Sequence, residues 1–82
     1  MKENIKEVQQ NILNYLYETR SASPQSITKI RLALNLKDNK EDTRTLKTCL
    51  ENLIKKNFIK KQADRGNYKI DDLGIEHLEK EQ

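Results

Sequence analysis

Five apolar residues, Leu46, Cys49, Leu50, Leu53 and Ile54, repeat at i, i+3, i+4, i+7 and i+8, and the chain then runs at once into Asn57-Phe58-Ile59. The repeat predicts an amphipathic helix with one buried face. Asn57 stands where a left-handed helix terminator belongs, and asparagine is the best non-glycine residue for that position. Phe58 to Ala63 then reads as a strand and Tyr68 to Ile70 as its partner, with Asp64-Arg65-Gly66-Asn67 supplying the turn. A helix followed directly by a basic hairpin leaves few folds open to a chain of 82 residues.

The remaining periodicities supply the other walls of a core. Residues 4–19 form a first helix on Ile5, Val8, Ile12, Leu13 and Leu16, with Asn4 as N-cap and Glu7 three residues on in capping-box style. Ser21-Ala22-Ser23-Pro24 breaks that helix and runs extended. A second helix is expected over 25–35, with Ile27, Ile30, Leu34 and Leu36 inward and Arg31 outside. Lys37 to Glu41 form a polar turn, and the long helix is expected over 41–57, capped by Asn39 or Asp42. A hairpin over 58–70 follows. A last helix over 72–80, capped by Asp71 or Asp72, carries Leu73, Ile75 and Leu78.

Composition sets the class of function. Apolar residues make up 34% of the chain and charged residues 35%, so one small domain has a thin core and little room for an enclosed pocket. Charge is unevenly placed. Residues 1–20 carry three basic and three acidic groups, residues 21–40 four and one, residues 41–69 eight and four, and residues 70–82 one and five. A basic middle with an acidic tail is the footprint of a polyanion binder, although ordinary surface charge also produces such runs.

At this point the sequence resembles the winged helix-turn-helix superfamily. The resemblance lies in Leu46-x3-Leu50-x2-Leu53-x3-Asn57-Phe58-Ile59 and Tyr68-x-Ile70-Asp71-x2-Gly74-x3-Leu78. It extends from Ile5 to Leu78, with closer likeness to small prokaryotic, archaeal or viral regulators than to linker-histone globular domains. Asn57 replaces the usual glycine, and the turn between the second and third helices is longer than in simple repressors. The resemblance implies a mainly α fold with a small β-hairpin: a three-helix core, a two-stranded wing and a short C-terminal helix, in one domain spanning residues 1–82. It also implies sequence-dependent binding of double-stranded DNA by a transcriptional regulator, with the recognition helix in the major groove and the wing on the backbone.

The buried stripe leaves Arg44, Lys47, Thr48, Glu51 and Lys55 on the outer face of the long helix. The major groove admits one α-helix, and its base edges are read by such side chains. Arg44, Thr45, Lys47 and Thr48 lie in the half that usually meets bases, and Arg44 is the first choice for guanine. Lysine and threonine also populate any solvated helix face, and Glu51 is repelled by phosphate unless it accepts from cytosine N4. On the hairpin, Lys60, Lys61, Asn67 and Lys69 are expected along the DNA backbone, and Arg65 at the tip is placed to neutralise phosphate or enter the minor groove. Lysines on an edge strand also block strand pairing between molecules. Ser26, Thr28 and Lys29 near the second helix start are candidate phosphate contacts.

Other chemistry finds little support. Cys49 reads as a core residue, His77 as a solvated one, and no P-loop, nucleophile elbow or zinc motif is present. No enzyme activity, metal or cofactor is expected, nor a membrane-spanning segment. A cytoplasmic protein is expected, associated with the nucleoid, or nuclear in a eukaryote. The expected partners are DNA and a second copy of the chain in a homodimer, since one domain covers few base pairs. The alternative is a protein-interaction module docking on a regulatory or polymerase partner, which Glu41, Asp42 and Glu51 favour.

Overall fold

Two of the helices end where a left-handed asparagine stops them. The computed structural model describes residues 5–63 and 66–80, so the Asn4 cap and the Arg65 contact lie outside the described residues. Within them the order is α1 (Ile5–Glu18), α2 (Ile27–Ala33), α3 (Lys40–Lys55), β1 (Ile59–Lys61), β2 (Tyr68–Ile70) and α4 (Asp72–Lys80). The chain is mainly helical with an antiparallel two-stranded hairpin, the order of elements read from the periodicities.

α2 is shorter than the expected 25–35. Ser26 is extended (φ −72°, ψ 160°) and its hydroxyl accepts from the Lys29 N–H, so the helix cannot start earlier. Gln25 is drawn instead into a single β-bridge with Tyr68, with both backbone N···O distances 2.8 Å. At the other end Asn35 is left-handed (φ 58°). The Leu36 N–H donates to the Arg31 carbonyl and the Asn35 N–H to that of Leu32, which closes a Schellman motif.

The same device ends α3. Asn57 has φ 63°; Phe58 N–H donates to Leu53 O at 3.0 Å and Asn57 N–H to Ile54 O at 2.9 Å. α3 therefore stops at Lys55 rather than Asn57, and Phe58 leaves in the direction the first strand needs. At its start Asn39 is the cap, accepting from the Asp42 N–H at 2.7 Å, while the Asp42 carboxylate accepts from the Lys37 N–H at 2.8 Å. Both acids of the first turn, Glu41 and Asp42, also suit the positive end of the helix dipole.

α1 packs against α3, α2, α4 and β2. The core comprises Val8, Ile12, Leu13 and Leu16 of α1, Ile30 of α2, and Leu46, Cys49, Leu50 and Leu53 of α3, closed by Leu36, Ile59, Tyr68, Ile70 and Leu78. Each large side chain so buried contributes about 1.5–3 kcal/mol. Gln25 is the one buried polar residue among those described. Its Oε1 accepts from Tyr15 Oη at 2.8 Å and its Nε2 donates to the Ser23 carbonyl at 2.7 Å, so burial leaves neither group unpaired.

Two apolar expectations, and the expectation of a solvated His77, fail in the structure. Ile5 is 47% exposed, although its carbonyl accepts from Cys49 Sγ at 3.6 Å. Leu73 is 49% exposed because α4 is turned so that Gly74 and Leu78, four residues apart, face inward. His77, read as solvated, is half-buried and stacks on Phe58 with ring centroids 4.8 Å apart.

Candidate nucleic-acid interface

The helical spacing that buries Leu46, Leu50 and Leu53 turns Arg44, Lys47, Thr48, Glu51 and Lys55 outward, and all five are exposed. From Arg44 to Lys55 the face runs about 16 Å along the helix axis. A shallow depression of about 650 Å³ lies on its N-terminal half, lined by Thr43, Arg44, Lys47, Thr48 and Glu51 together with Asp38, Asn39 and Lys40 from the preceding turn. A second depression of about 260 Å³ lies between α3 and the hairpin, lined by Lys47, Leu50, Glu51, Ile54, Lys61 and Tyr68. Lys47 and Glu51 line both. The result is a continuous strip from the α3 N-terminus to β1.

Strand register decides which hairpin lysines join this strip. Ile59 pairs with Ile70, Lys60 with Lys69 and Lys61 with Tyr68. Alternation sends Ile59, Tyr68 and Ile70 to the buried side and Lys60 and Lys69 to the opposite side. Lys61 lies on the buried-side row but at its outer end, exposed, with Nζ 5.9 Å from the Tyr68 ring centroid. Lys61 therefore borders α3. Lys60, 3.6 Å from an Asp71 carboxylate oxygen, and Lys69 form a separate face.

The other sequence candidates divide similarly. Thr45 is half-buried, because it shares a row with buried Cys49 at i+4, and it lines neither depression. The Ser26 hydroxyl is committed to capping α2, while Thr28 and Lys29 are exposed away from both depressions. Asn67 is half-buried, and its carbonyl accepts from the Gln62 N–H at 2.7 Å, closing the hairpin loop. Gly66 makes the turn with φ 66°, its N–H donating to Gln62 O at 2.8 Å.

Sequence reading missed Lys40 and Thr43 as part of the strip, although counting back from Lys47 by four and seven would have reached both. It also grouped Asp42 with the acids opposing a polyanion. The Asp42 carboxylate is held in the turn before α3, and Glu41 lines neither depression. Glu51 is the acid on the outward face of α3 itself, and Asp38 lines the first depression from the preceding turn. Cys49 is fully buried, and burial pushes its thiol pKa up, which makes it inert packing rather than a nucleophile. Among the described residues no group of three His, Cys, Asp or Glu is placed to hold a metal ion, and no helix is long and apolar enough to cross a membrane.

Fold and site together define a small, mainly helical domain with a cationic strip running from a long helix onto a β-hairpin. Residues 3–82 match a protein family of unknown function, DUF5457, and the chain belongs to that family. No curated protein and no solved structure shows significant similarity to it.

Proposed function

We propose that this chain is a winged-helix protein that binds double-stranded DNA in a sequence-dependent manner and serves in transcription regulation. α3 is the recognition helix in the major groove, and the hairpin is the wing along the backbone. The observation that carries the reading is the strip joining Arg44, Lys47 and Thr48 on α3 to Lys61 on β1. A helix face of this kind fits a groove about 12 Å wide, and a lysine just beyond it meets the flanking phosphates. The Gln25–Tyr68 bridge adds support, since it ties the segment between α1 and α2 to the edge of β2. Lys60 and Lys69, on the far face, contribute to the long-range field more than to contact.

One domain spans few base pairs, so a homodimer on a two-fold site is the expected working form. Fluorescence titration with duplex DNA across a salt series tests the reading, with mass in solution measured alongside. Affinity should fall steeply as salt rises; affinity independent of salt would sink a phosphate-based interface. The second reading is a winged-helix module docking on a regulatory or polymerase protein. Exposed Glu51 within the strip favours it, because a carboxylate is at home in a protein interface. Capture of one stoichiometric protein partner with no nucleic acid would favour that reading.

A further inference from the structure

We infer that Glu51 is a specificity-determining residue that confines the bound duplex to one presenting a cytosine amino group to the middle of α3. The inference rests on the DNA-binding reading above. Glu51 is exposed and lines both depressions, so it sits at the centre of the strip rather than at its rim. Lys47 and Lys55 lie one turn to either side, yet among the described residues Glu51 has no ion-pair partner. Its charge is presented outward from a helix face whose other charged groups, Arg44, Lys47 and Lys55, are cationic, while the second acid of the strip, Asp38, lies in the turn before α3.

Such a carboxylate weakens contact with any phosphate backbone, because charges within a Debye length of about 8 Å are poorly screened. An ionised carboxylate can only accept hydrogen bonds. The major-groove edges of guanine and thymine offer acceptors, and adenine sets its N7 acceptor beside its amino donor. Cytosine offers the N4 donor and no acceptor on its own major-groove edge, and it is the base a carboxylate ordinarily reads. Glu51 is therefore repelled by guanine and thymine, less well served by adenine and best satisfied by cytosine. Arg44, two turns towards the N-terminus on the same face, has the converse preference for guanine.

The experiment selects duplexes with a randomised core using the wild-type chain and Glu51→Gln, then titrates the winning duplex with its fixed cytosine replaced by N4-methylcytosine. That base still pairs with guanine but carries a methyl in place of the major-groove N–H. Wild type should fix a cytosine and lose about 10-fold or more on N4-methylation. Glu51→Gln should lose the cytosine preference and bind random duplex several-fold tighter, with unchanged far-ultraviolet circular dichroism. Three results overturn the role of Glu51 while duplex binding stands: a wild-type site with no fixed cytosine, indifference to N4-methylation, or the same site selected by Glu51→Gln. If wild type retains no duplex at any salt, the DNA-binding reading falls and this inference with it.

Discussion

Lys60 and Lys69 stand directly opposite each other across the hairpin, both exposed. Like charges in that position are destabilising by about 0.2–1 kcal/mol. Asp71, with a carboxylate oxygen 3.6 Å from Lys60 Nζ, offsets only part of this, because the lysine side chain is 74% exposed. Lys69→Thr should therefore raise the free energy of unfolding by about 0.5 kcal/mol, or roughly 2–4 °C in Tm. The gain should shrink as salt screens the repulsion. Thermal melts at low and high salt check this, and a loss of stability at low salt would contradict it.

Gly74 lies inside α4, where alanine would ordinarily be better by about 1 kcal/mol. Here a Cβ would collide with the Phe58 carbonyl oxygen and come within 2.8 Å of Ile70 Cγ1. The Phe58 oxygen cannot easily move, since it accepts from the Asp71 N–H at 2.8 Å, where the hairpin meets α4. Gly74→Ala should destabilise by about 1–3 kcal/mol despite its helix propensity. Urea unfolding measures this directly; a more stable variant would show that α4 is not seated on the hairpin base.

The same glycine shows where sequence legibility ended. α3 and its two faces were readable because a 3.6-residue period, sustained over the whole helix, fixes the buried and exposed rows together. Asn57 was readable because left-handed backbone restricts residue type. The rotation of α4 was not, because Leu73, Ile75 and Leu78 make an equally good stripe until Gly74 is known to touch Phe58 and Ile70. The Gln25–Tyr68 bridge involves one residue pair and leaves no periodic trace. At the site, the α3 face was legible locally. The division of Lys61 from Lys60 and Lys69 was not, since it depends on strand register and on how the hairpin lies against α3.

Both Schellman motifs rest on asparagines with positive φ, Asn35 at 58° and Asn57 at 63°. A residue with a Cβ costs roughly 1–2 kcal/mol in that region, glycine nothing, and asparagine lies between. Asn57→Gly should be neutral or slightly stabilising, whereas Asn57→Val should cost at least about 1 kcal/mol. The pair at Asn35 should follow the same order. Equal stability of the glycine and valine variants in urea would argue against a left-handed terminator.

Cys49 has no exposed surface, and its Sγ donates to the Ile5 carbonyl at 3.6 Å. Burial raises the thiol pKa in the folded chain, partly opposed by a hydrogen bond with Gln9. The unfolded chain therefore loses the thiol proton first. Cys49 should not affect the pH dependence of stability below the ordinary thiol pKa, and should lower stability as pH rises from there towards the folded value. A disulfide reagent should label it only as fast as the protein opens, with the rate rising as urea is added. Rapid stoichiometric labelling without denaturant would contradict inert packing.

Arg44 on α3 and Lys61 on β1 lie in different depressions of the strip and should differ in what their loss does to binding. Arg44 projects from the first half of α3, where a guanidinium can form paired hydrogen bonds to guanine O6 and N7. Lys61, at the hairpin border, offers a point charge suited to phosphate. Arg44→Ala should weaken binding to a selected duplex by about 5- to 150-fold and to random duplex much less. Lys61→Gln should weaken both by a similar factor and reduce the slope of log affinity against log salt by about one. Titrations of both variants on both duplexes at several salt concentrations decide the matter. Equal losses for Arg44→Ala on selected and random DNA would remove its base contact, and an unchanged salt slope for Lys61→Gln would take the hairpin off the phosphate backbone.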